Sequence, residues 1–440
     1  MEHAPPLPAP RRLLLWLGAI HFLVLGSWYV LRPLRDEIAT VDPGKIPWLW
    51  TAVFVVMLLA SPLFGWAVAR LPRRRFLGGT LGLFGLLLAL QAGLLRYGPE
   101  AWRQPLELGF YIFCSVYSLF VVSVFWSFAT DLLRAGSAER LFGPVAACGT
   151  LGTIATSQLV SSFRESLSIE ALVVLALLLL EGARQGMLWL DKLVTRAGAA
   201  PAGAGPLAAG AREQRVEGGV LEGIAVVFRS PYLLAIVACV SLTSLNGSIY
   251  YQLQSELLQD QIASRAARGS FLADLNKYTS YFTLLGQLFL NAWLLKRIGV
   301  GRTLLVQPLW AALGLSGLWW AIESGAPQVL ALFTLFDVGS RTIAHGLAKP
   351  TREYLFALVP REQKYRAKNF IDTAVYRGAD AAGAWAIQRV LQLGTALSQL
   401  SLLGLLPAAL WAGLTVALGR RAKQRRRDFE AADRSAPGAA

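Results

Sequence analysis

The sequence predicts an all-α, polytopic membrane protein with about twelve transmembrane helices arranged in two six-helix halves. Of its 440 residues, 55% are hydrophobic and only 16% are charged, whereas about a quarter of the residues in a soluble domain are charged. Apolar runs of about 20 residues, which are long enough to cross about 30 Å of hydrocarbon, recur along the chain. One stretch differs, because residues 197–211 are nearly all Ala, Gly and Pro.

The apolar runs form two sets of six. The first run continues into a charged segment and lacks a small-residue cleavage site, so we interpret it as a membrane span and not as a signal peptide. The predicted spans are 13–32, 48–69, 76–95, 107–131, 143–162, 168–190, 230–257, 273–295, 303–322, 327–349, 366–389 and 394–419.

The stretch at 191–229 is predicted to be a cytoplasmic flexible linker, since a sequence rich in Ala, Gly and Pro cannot bury a core. It divides the chain into an N-terminal half at 1–190 and a C-terminal half at 230–419, followed by a basic cytoplasmic tail at 420–440. Basic loops at equivalent places in the two halves, 70–75 and 297–302, suggest a duplication. Two parallel six-helix halves resemble the architecture of the major facilitator fold.

The basic residues are distributed on one side of the predicted membrane. The chain carries 42 Lys and Arg against 27 Asp and Glu, a net charge of +15. With twelve crossings, the clusters at 70–75, 296–302, 349–368 and 420–427 all fall on the same side, which the positive-inside rule assigns to the cytoplasm. We therefore expect a multi-pass membrane protein with both termini cytoplasmic. The basic runs anchor it to the lipid bilayer, and nucleic acid is not an expected partner.

The sequence lacks the motifs of metal binding, of redox chemistry and of ATP hydrolysis. Cys114, Cys148 and Cys239 lie within predicted spans, and their spacing matches neither a zinc site nor a redox pair. There is no G-x-x-x-x-G-K-[ST] and no H-E-x-x-H pattern. The sequence therefore predicts no metal, no cofactor and no enzymatic activity, and any transport is expected to be secondary and not ATP-powered.

Charged residues within spans ten and eleven give the strongest functional signal. An isolated charge at bilayer depth costs roughly 3 kcal/mol, so such residues face a partner or a wet cavity. Asp337 and Arg341 are one helical turn apart and are predicted to pair. Arg377 is predicted to pair with Asp380 in the same way. An anion could displace either acid from its arginine, so Arg341 and Arg377 are predicted to bind substrate.

Further charges lie at the predicted cytoplasmic ends of these spans. Lys368 is predicted to pair with Asp372. Lys349, Arg352 and Glu353 form either a gate of salt bridges or charges that only set topology. After span four, Asp131 and Arg140 occupy the equivalent loop of the first half and are predicted to be paired or gating charges as well.

Span one ends with two arginines beside aromatic residues. Arg32 and Arg35 are predicted to bind an anion next to Trp28, whose ring could stack on a planar group, and Asp36 is predicted to be a charge-pair or gating residue. The alternative is that both arginines are interfacial anchors that reach the headgroups. Pro33 lies between them and favours a break in the helix.

Span seven carries two further candidates, Asn246 and Tyr250, at four-residue spacing. They offer hydrogen bonds and one aromatic face to a substrate. The alternative is that these polar side chains only hold helices together.

Five segments resemble one bacterial family: LRPLRDE at 31–37, FWSF at 125–128, ERLFG at 139–143, KYRAKNFID at 364–372 and YRGAD at 376–380. In these, the chain resembles the ATP/ADP translocase-type nucleotide transporters, a distant branch of the major facilitator superfamily. The resemblance implies nucleotides as the substrate class and a bacterial inner membrane as the location. It also marks a departure, because Ile38, Ala39 and Thr40 supply no counterpart to the lysine that follows the Leu-Arg-Asp pattern in the ATP/ADP exchangers.

Together these observations predict a monomeric secondary transporter of an organic anion, with a nucleotide or related phosphate compound as substrate, working by alternating access. Arg341 and Arg377 are expected to face Arg32 and Arg35 across the substrate. One alternative is a proton-coupled major facilitator exporter of another metabolite or drug. The other is a non-transporting membrane scaffold whose charges lock helices together.

Overall fold

The computed structural model describes residues 10–135, 139–196 and 220–435, and it contains helices and no strand in those ranges. The first part of the chain, before residue 197, has six long helices. The second part, from residue 220, has ten helices, several of which join end to end. The helices of the first part are α1 Pro10–Ala39, α2 Ile46–Arg70, α3 Arg73–Tyr97, α4 Arg103–Ala135, α5 Phe142–Phe163 and α6 Ile169–Arg196. Those of the second part are α7 Val220–Phe228, α8 Pro231–Gln261, α9 Arg265–Leu285, α10 Asn291–Glu323, α11 Val329–Ile343, α12 Lys349–Ala357, α13 Arg361–Phe370, α14 Tyr376–Gln392, α15 Leu397–Leu403 and α16 Leu405–Ser435.

The predicted all-α, polytopic fold is confirmed. Within the described ranges, eight helices are long and apolar enough to cross a membrane. The remaining predicted spans coincide with α5, with α9, with α11 and with α13–α14, and these helices carry more polar residues. Among them, α11 and α13–α14 contain the charged residues that the sequence analysis assigned to spans ten and eleven.

Two sequence expectations about helix ends are wrong. Pro33 does not break α1, which continues through it to Ala39; transmembrane helices tolerate proline because neighbouring groups satisfy the freed carbonyl. The predicted linker is helical at both of its ends, since α6 reaches Arg196 and α7 begins at Val220. Burial of Val194 explains the extension of α6. Residues 197–219 of the predicted linker and residues 436–440 of the predicted tail lie outside the described residues.

The chain forms two compact units. Unit 1 comprises the described residues of Met1–Lys45, Val55–Arg215 and Leu258–Ser280, and unit 2 those of Ile46–Phe54, Val216–Leu257 and Tyr281–Ala440. Each unit thus contains a short segment from the opposite half of the sequence. The start of α2 belongs to unit 2, where Trp385 donates a hydrogen bond to Thr51 at 3.0 Å. The end of α8 and most of α9 belong to unit 1.

Glycines allow helices to approach closely within each unit. In unit 1, a Cβ added at Gly152 of α5 would overlap the backbone of Phe22 in α1. In unit 2, a Cβ at Gly301 would lie 2.9 Å from the Cα of Gly419, so α10 and α16 meet backbone to backbone. Such close contacts replace the hydrophobic driving force that helices lack in lipid.

Unit 2 contains three π-helical turns in the described residues, at Gly286–Leu290, Ala344–Ala348 and Ile371–Val375. The second follows α11 and its Arg341, and the third joins α13 to α14. A π-helical turn inserts one residue into a helix and is frequent at functional sites. Both charged helices of unit 2 are therefore irregular where their charges lie.

Candidate functional site

The arginines of α1 are held by one carboxylate and several rings. Arg35 donates from Nε and Nη2 to Oδ1 of Asp36, at 2.9 and 2.6 Å. Arg32 lies with Nε 3.9 Å from Oδ2 of the same carboxylate. The guanidinium of Arg35 stacks 5.6 Å from the ring of Trp28 and 5.2 Å from the ring of Tyr111. Asp36 is therefore the carboxylate partner of both arginines, and the rings add cation–π attraction.

A second charged group of unit 1 was missed by the sequence interpretation. Its centre is Glu37, whose side chain is fully buried. Arg164 donates from Nε and Nη2 to the two carboxylate oxygens, each at 2.8 Å, and Arg265 donates from Nε to Oε1 at 2.8 Å. Charge-assisted bonds of this forked kind are the strong ones. Three hydrogen bonds from two guanidinium groups compensate the burial of this carboxylate.

Arg265 extends the group to a second carboxylate. It donates from Nη1 to both oxygens of Glu107, at 2.9 and 3.1 Å. Burial alone would lower the pKa of Arg265, but the hydrogen bonds and charges of Glu107 and Glu37 outweigh it and raise the pKa. One arginine thus links the start of α9 to α1 and α4.

Arg268 completes this group by binding backbone carbonyls. Its guanidinium donates to the carbonyls of Thr40 at 2.9 Å, Gln259 at 3.1 Å and Ile262 at 2.6 Å. Gly269 follows, and a Cβ there would overlap Oε2 of Glu37. We call Glu37, Glu107, Arg164, Arg265 and Arg268 the Glu37 network. The sequence signal for it was weak, because its arginines lie near loops, where basic residues are common.

In unit 2, Arg341 forms the predicted pair. Its Nε lies 2.8 Å from Oδ2 of Asp337, and its Nη2 donates to Oε1 of Gln254 at 2.6 Å. The Asp337 side chain is only 3% exposed, whereas that of Arg341 is 18% exposed. The arginine is therefore held by a buried acid and by an amide of α8, and part of its guanidinium remains accessible.

Asn246 and Tyr250 lie inside the helix bundle of unit 2. Their exposed fractions are 4% and 3%. The Tyr250 hydroxyl contacts Gly314 of α10 and has no hydrogen-bond partner among the described residues. The amide nitrogen of Asn246 has no hydrogen-bond partner among the described residues either, so interhelical hydrogen bonds from these two donors are not seen. Gln254, one turn further along α8, is the residue that contacts Arg341.

Arg377 forms the second predicted pair of unit 2, with looser geometry. Its Nη1 lies 3.5 Å from Oδ2 of Asp380, and its side chain is 34% exposed. The hydroxyl of Ser244 donates to Asp380. The guanidinium lies 5.7 Å from the ring of Tyr376. Arg377 is therefore more accessible and less tightly held than Arg341.

The predicted pair of Lys368 and Asp372 is wrong. Lys368 donates to Oε2 of Glu353 at 2.6 Å, and Asp372 lies 3.5 Å from Nη2 of Arg352. The reason is local, because the π-helical turn Ile371–Val375 begins between the two residues and changes the register of the following side chains. Both pairs link α12 to the segment from α13 to this turn.

The charges that follow span four do not form a pair with each other. Asp131 lies 4.0 Å from Nη1 of Arg73, and Nε of Arg73 lies 3.2 Å from Asp191. Arg140 is exposed, and no ion pair joins it to a described residue. The sequence grouped Asp131 with Arg140, whereas unit 1 groups Asp131 with a basic residue at the start of α3.

Neither a protein-family model nor a curated protein matches this sequence. Solved structures do match. The chain is similar to a bacterial homologue of the iron transporter ferroportin in an inward-facing state, with a TM-score of 0.65 and 14% identity over 94% of this chain and 100% of that one.

Two other solved structures have the same architecture. One is the nucleoside transporter NupG, with a TM-score of 0.60 and 14% identity over 94% of this chain and 98% of that one. The other is the xylose transporter XylE from E. coli in an inward-open conformation, with a TM-score of 0.61 and 12% identity over 92% and 96%. The chain therefore has the major facilitator fold, as its sequence predicted.

Proposed function

We propose that this protein is a secondary transporter of an organic anion, with a nucleotide or related phosphate compound as substrate, working by alternating access. The observation that carries the proposal is Arg341. It is a partly accessible cation in the last turn of α11, within a predicted membrane span, held by a buried carboxylate at 2.8 Å. An anionic ligand can take over the hydrogen bonds of such a guanidinium in the same forked geometry.

The surroundings of Arg341 favour an ion pair that can exchange Asp337 for a substrate anion over a permanent salt bridge. Gln254 contributes one neutral acceptor at 2.6 Å, and an amide binds a guanidinium less strongly than a carboxylate does. The π-helical turn Ala344–Ala348 follows directly. A scaffold that only locked helices would gain most from complete burial of the pair, and here 18% of the arginine side chain stays exposed.

The proposed substrate class rests on the arginines of α1 and on the sequence resemblance. Arg32 and Arg35 lie beside Tyr29, Trp28 and Tyr111, so an anion and a planar ring can be recognised side by side. A nucleotide has both parts. The resemblance to nucleotide transporters in residues 31–37 and 364–380 agrees with this class, and one protein of the same fold is described as a nucleoside transporter.

The test is uptake into proteoliposomes that contain the purified full-length protein. Labelled ATP, ADP, adenosine and inorganic phosphate are each offered, with and without the same unlabelled compound inside. We expect saturable uptake of a nucleotide, accelerated by internal nucleotide. Uptake that follows an imposed pH gradient and ignores nucleotides would instead identify a proton-coupled exporter. Absence of any flux, with correct insertion verified, would favour the non-transporting scaffold.

Arg341→Lys separates binding from folding in this assay. Lysine keeps the charge and loses the fork, so each lost charge-assisted hydrogen bond should weaken substrate affinity about tenfold to a hundredfold. The matched control is Arg389→Lys in the same unit, since Arg389 is exposed and bonds only Gln392, at 3.2 Å. Unchanged affinity in Arg341→Lys would remove Arg341 from the proposed site.

A further inference from the structure

Unit 2 contains a cavity of about 170 Å³ that is separate from Arg341 and Arg377. Its walls come from α8, from α10, from α16 and from the chain between Ala344 and Leu355. About 10–15 Å³ suffices to hold a single water molecule, so the cavity has room for a ligand group with several heavy atoms.

Two cations reach this cavity, and they are only partly neutralised. Lys349 lines it and forms no ion pair or hydrogen bond with any described residue. Arg352 also lines it, and Nη2 of Arg352 lies 3.5 Å from Asp372 while its buried Nε lacks a hydrogen-bond partner. A bound anion would accept a hydrogen bond from the buried Nε of Arg352 and would pair with Lys349.

An amide also lines the cavity. Gln307 of α10 is 6% exposed and makes no hydrogen bond to a described residue. Its amide is therefore available to a ligand in the cavity. Thr243 and Thr415 line the same space, and their hydroxyls donate to the carbonyls of Cys239 and Trp411 at 2.8 Å each.

The remaining lining is mostly apolar and includes two large rings. Ile236, Val240, Leu304, Tyr376 and Trp411 belong to it. The cavity lining therefore combines cations, an amide and apolar side chains. That combination fits a molecule with a charged head and an apolar portion.

We infer that this cavity binds the phosphate of an amphiphilic molecule between Lys349 and Arg352, with Gln307 hydrogen-bonding a neighbouring oxygen and the apolar portion packed against Leu304 and Trp411. Two sources share this chemistry: an anionic phospholipid of the surrounding bilayer, and a soluble organophosphate. The inference does not depend on the proposed transport activity, because it concerns different residues.

The first experiment measures binding to the delipidated, detergent-purified full chain. The probes are a short-chain phosphatidylglycerol, the matched phosphatidylcholine, and ATP, with the rise in unfolding temperature at increasing concentration as the readout. We expect the phosphatidylglycerol or ATP to bind at least about tenfold more tightly than phosphatidylcholine, since a charged hydrogen bond is worth about 1.5 kcal/mol or more. Phosphatidylglycerol identifies the lipid source, and ATP identifies the soluble source.

Lys349→Gln and Gln307→Leu should each weaken that binding about tenfold, while Lys423→Gln, which removes the same charge at an exposed position of α16, should not. Lys349 is exposed, so its replacement is expected to leave the fold intact. Equal affinities for all probes, or equal affinities in wild type and Lys349→Gln, would overturn the proposal.

A second measurement leaves the binding residues unchanged. Cys239 lines the cavity and is the only cysteine left in a Cys114→Ala, Cys148→Ala variant. Its alkylation by a small membrane-permeant thiol reagent should slow when the tight-binding probe is present. An unchanged alkylation rate at a saturating concentration of that probe would place the probe elsewhere and overturn the assignment.

Discussion

The two units hold their buried charges in different ways. In unit 1, Glu37 is fully buried and is bound by two arginines at 2.8 Å. In unit 2, Arg377 and Asp380 are 3.5 Å apart, and the arginine is about a third exposed. The helices differ in the same sense, since all three π-helical turns in the described ranges belong to unit 2.

This difference separates charges that stabilise from charges that can change partners. A carboxylate with every oxygen bonded to guanidinium groups holds one geometry, and removing any member leaves an uncompensated buried charge. A pair at 3.5 Å with access to water gains little energy from staying together. Ligand exchange is therefore expected at the arginines of unit 2, and structural rigidity at the Glu37 network.

Glu37→Gln should have the largest effect on stability. The change removes the charge that compensates Arg164 and Arg265, and the loss should reduce the free energy of unfolding by about 3–5 kcal/mol. The measurement is thermal or denaturant unfolding of the purified protein in detergent.

The control for Glu37→Gln is Glu100→Gln in the same unit. Glu100 is 88% exposed and its carboxylate lies 3.9 Å from Arg103, so its loss should cost at most about 1 kcal/mol. Equal effects of the two substitutions would show that the Glu37 network does not stabilise unit 1.

Asp337→Asn tests the corresponding charge in unit 2. We expect a loss of about 2–3 kcal/mol, smaller than for Glu37→Gln, because Arg341 keeps its bond to Gln254 and its side chain is 18% exposed. The same unfolding measurement compares them directly. If Asp337→Asn destabilises as much as Glu37→Gln, the pair in unit 2 is as rigid as the network of unit 1, and the contrast between the units fails.

The sequence predicted what depends on spacing along one helix. Apolar runs predicted the spans, and four-residue spacing predicted the pair of Asp337 with Arg341. Pro33 was misleading, because neighbouring groups in a membrane protein can satisfy the carbonyl that a proline leaves free.

Pairings between distant segments were not predictable from one sequence. Glu37 meets Arg265 across 228 positions, and nothing in either local pattern marks that contact. Lys368 missed its predicted partner because a single inserted residue, in the π-helical turn at Ile371–Val375, changes the register. The local periodicity of a sequence predicts neither a contact between distant segments nor a residue inserted into a helix.

Gly269→Ala perturbs the Glu37 network without removing a charge. The added Cβ would overlap Oε2 of Glu37, so the carboxylate must shift away from Arg164 or Arg265. We expect a loss of about 1–2 kcal/mol, since overpacking outweighs the gain in helix propensity. Gly109→Ala in α4 is the matched control, because a Cβ there meets nothing within 4 Å. A stabilising Gly269→Ala would mean that the network adapts freely.

Arg377→Lys should have the smallest effect. Its comparison with Arg341→Lys shows which of the two arginines of unit 2 contributes more to substrate affinity. Arg377 sits 3.5 Å from its acid and is 34% exposed, whereas Arg341 sits 2.8 Å from its acid and is 18% exposed. Water already competes for the more exposed guanidinium, so loss of its fork should weaken substrate affinity less than about tenfold, below the effect of Arg341→Lys. Titration of the transported anion against both variants in detergent measures the difference. A larger loss in Arg377→Lys would move the main anion contact from α11 to α14 and identify the loosely held arginine as the one that the substrate binds.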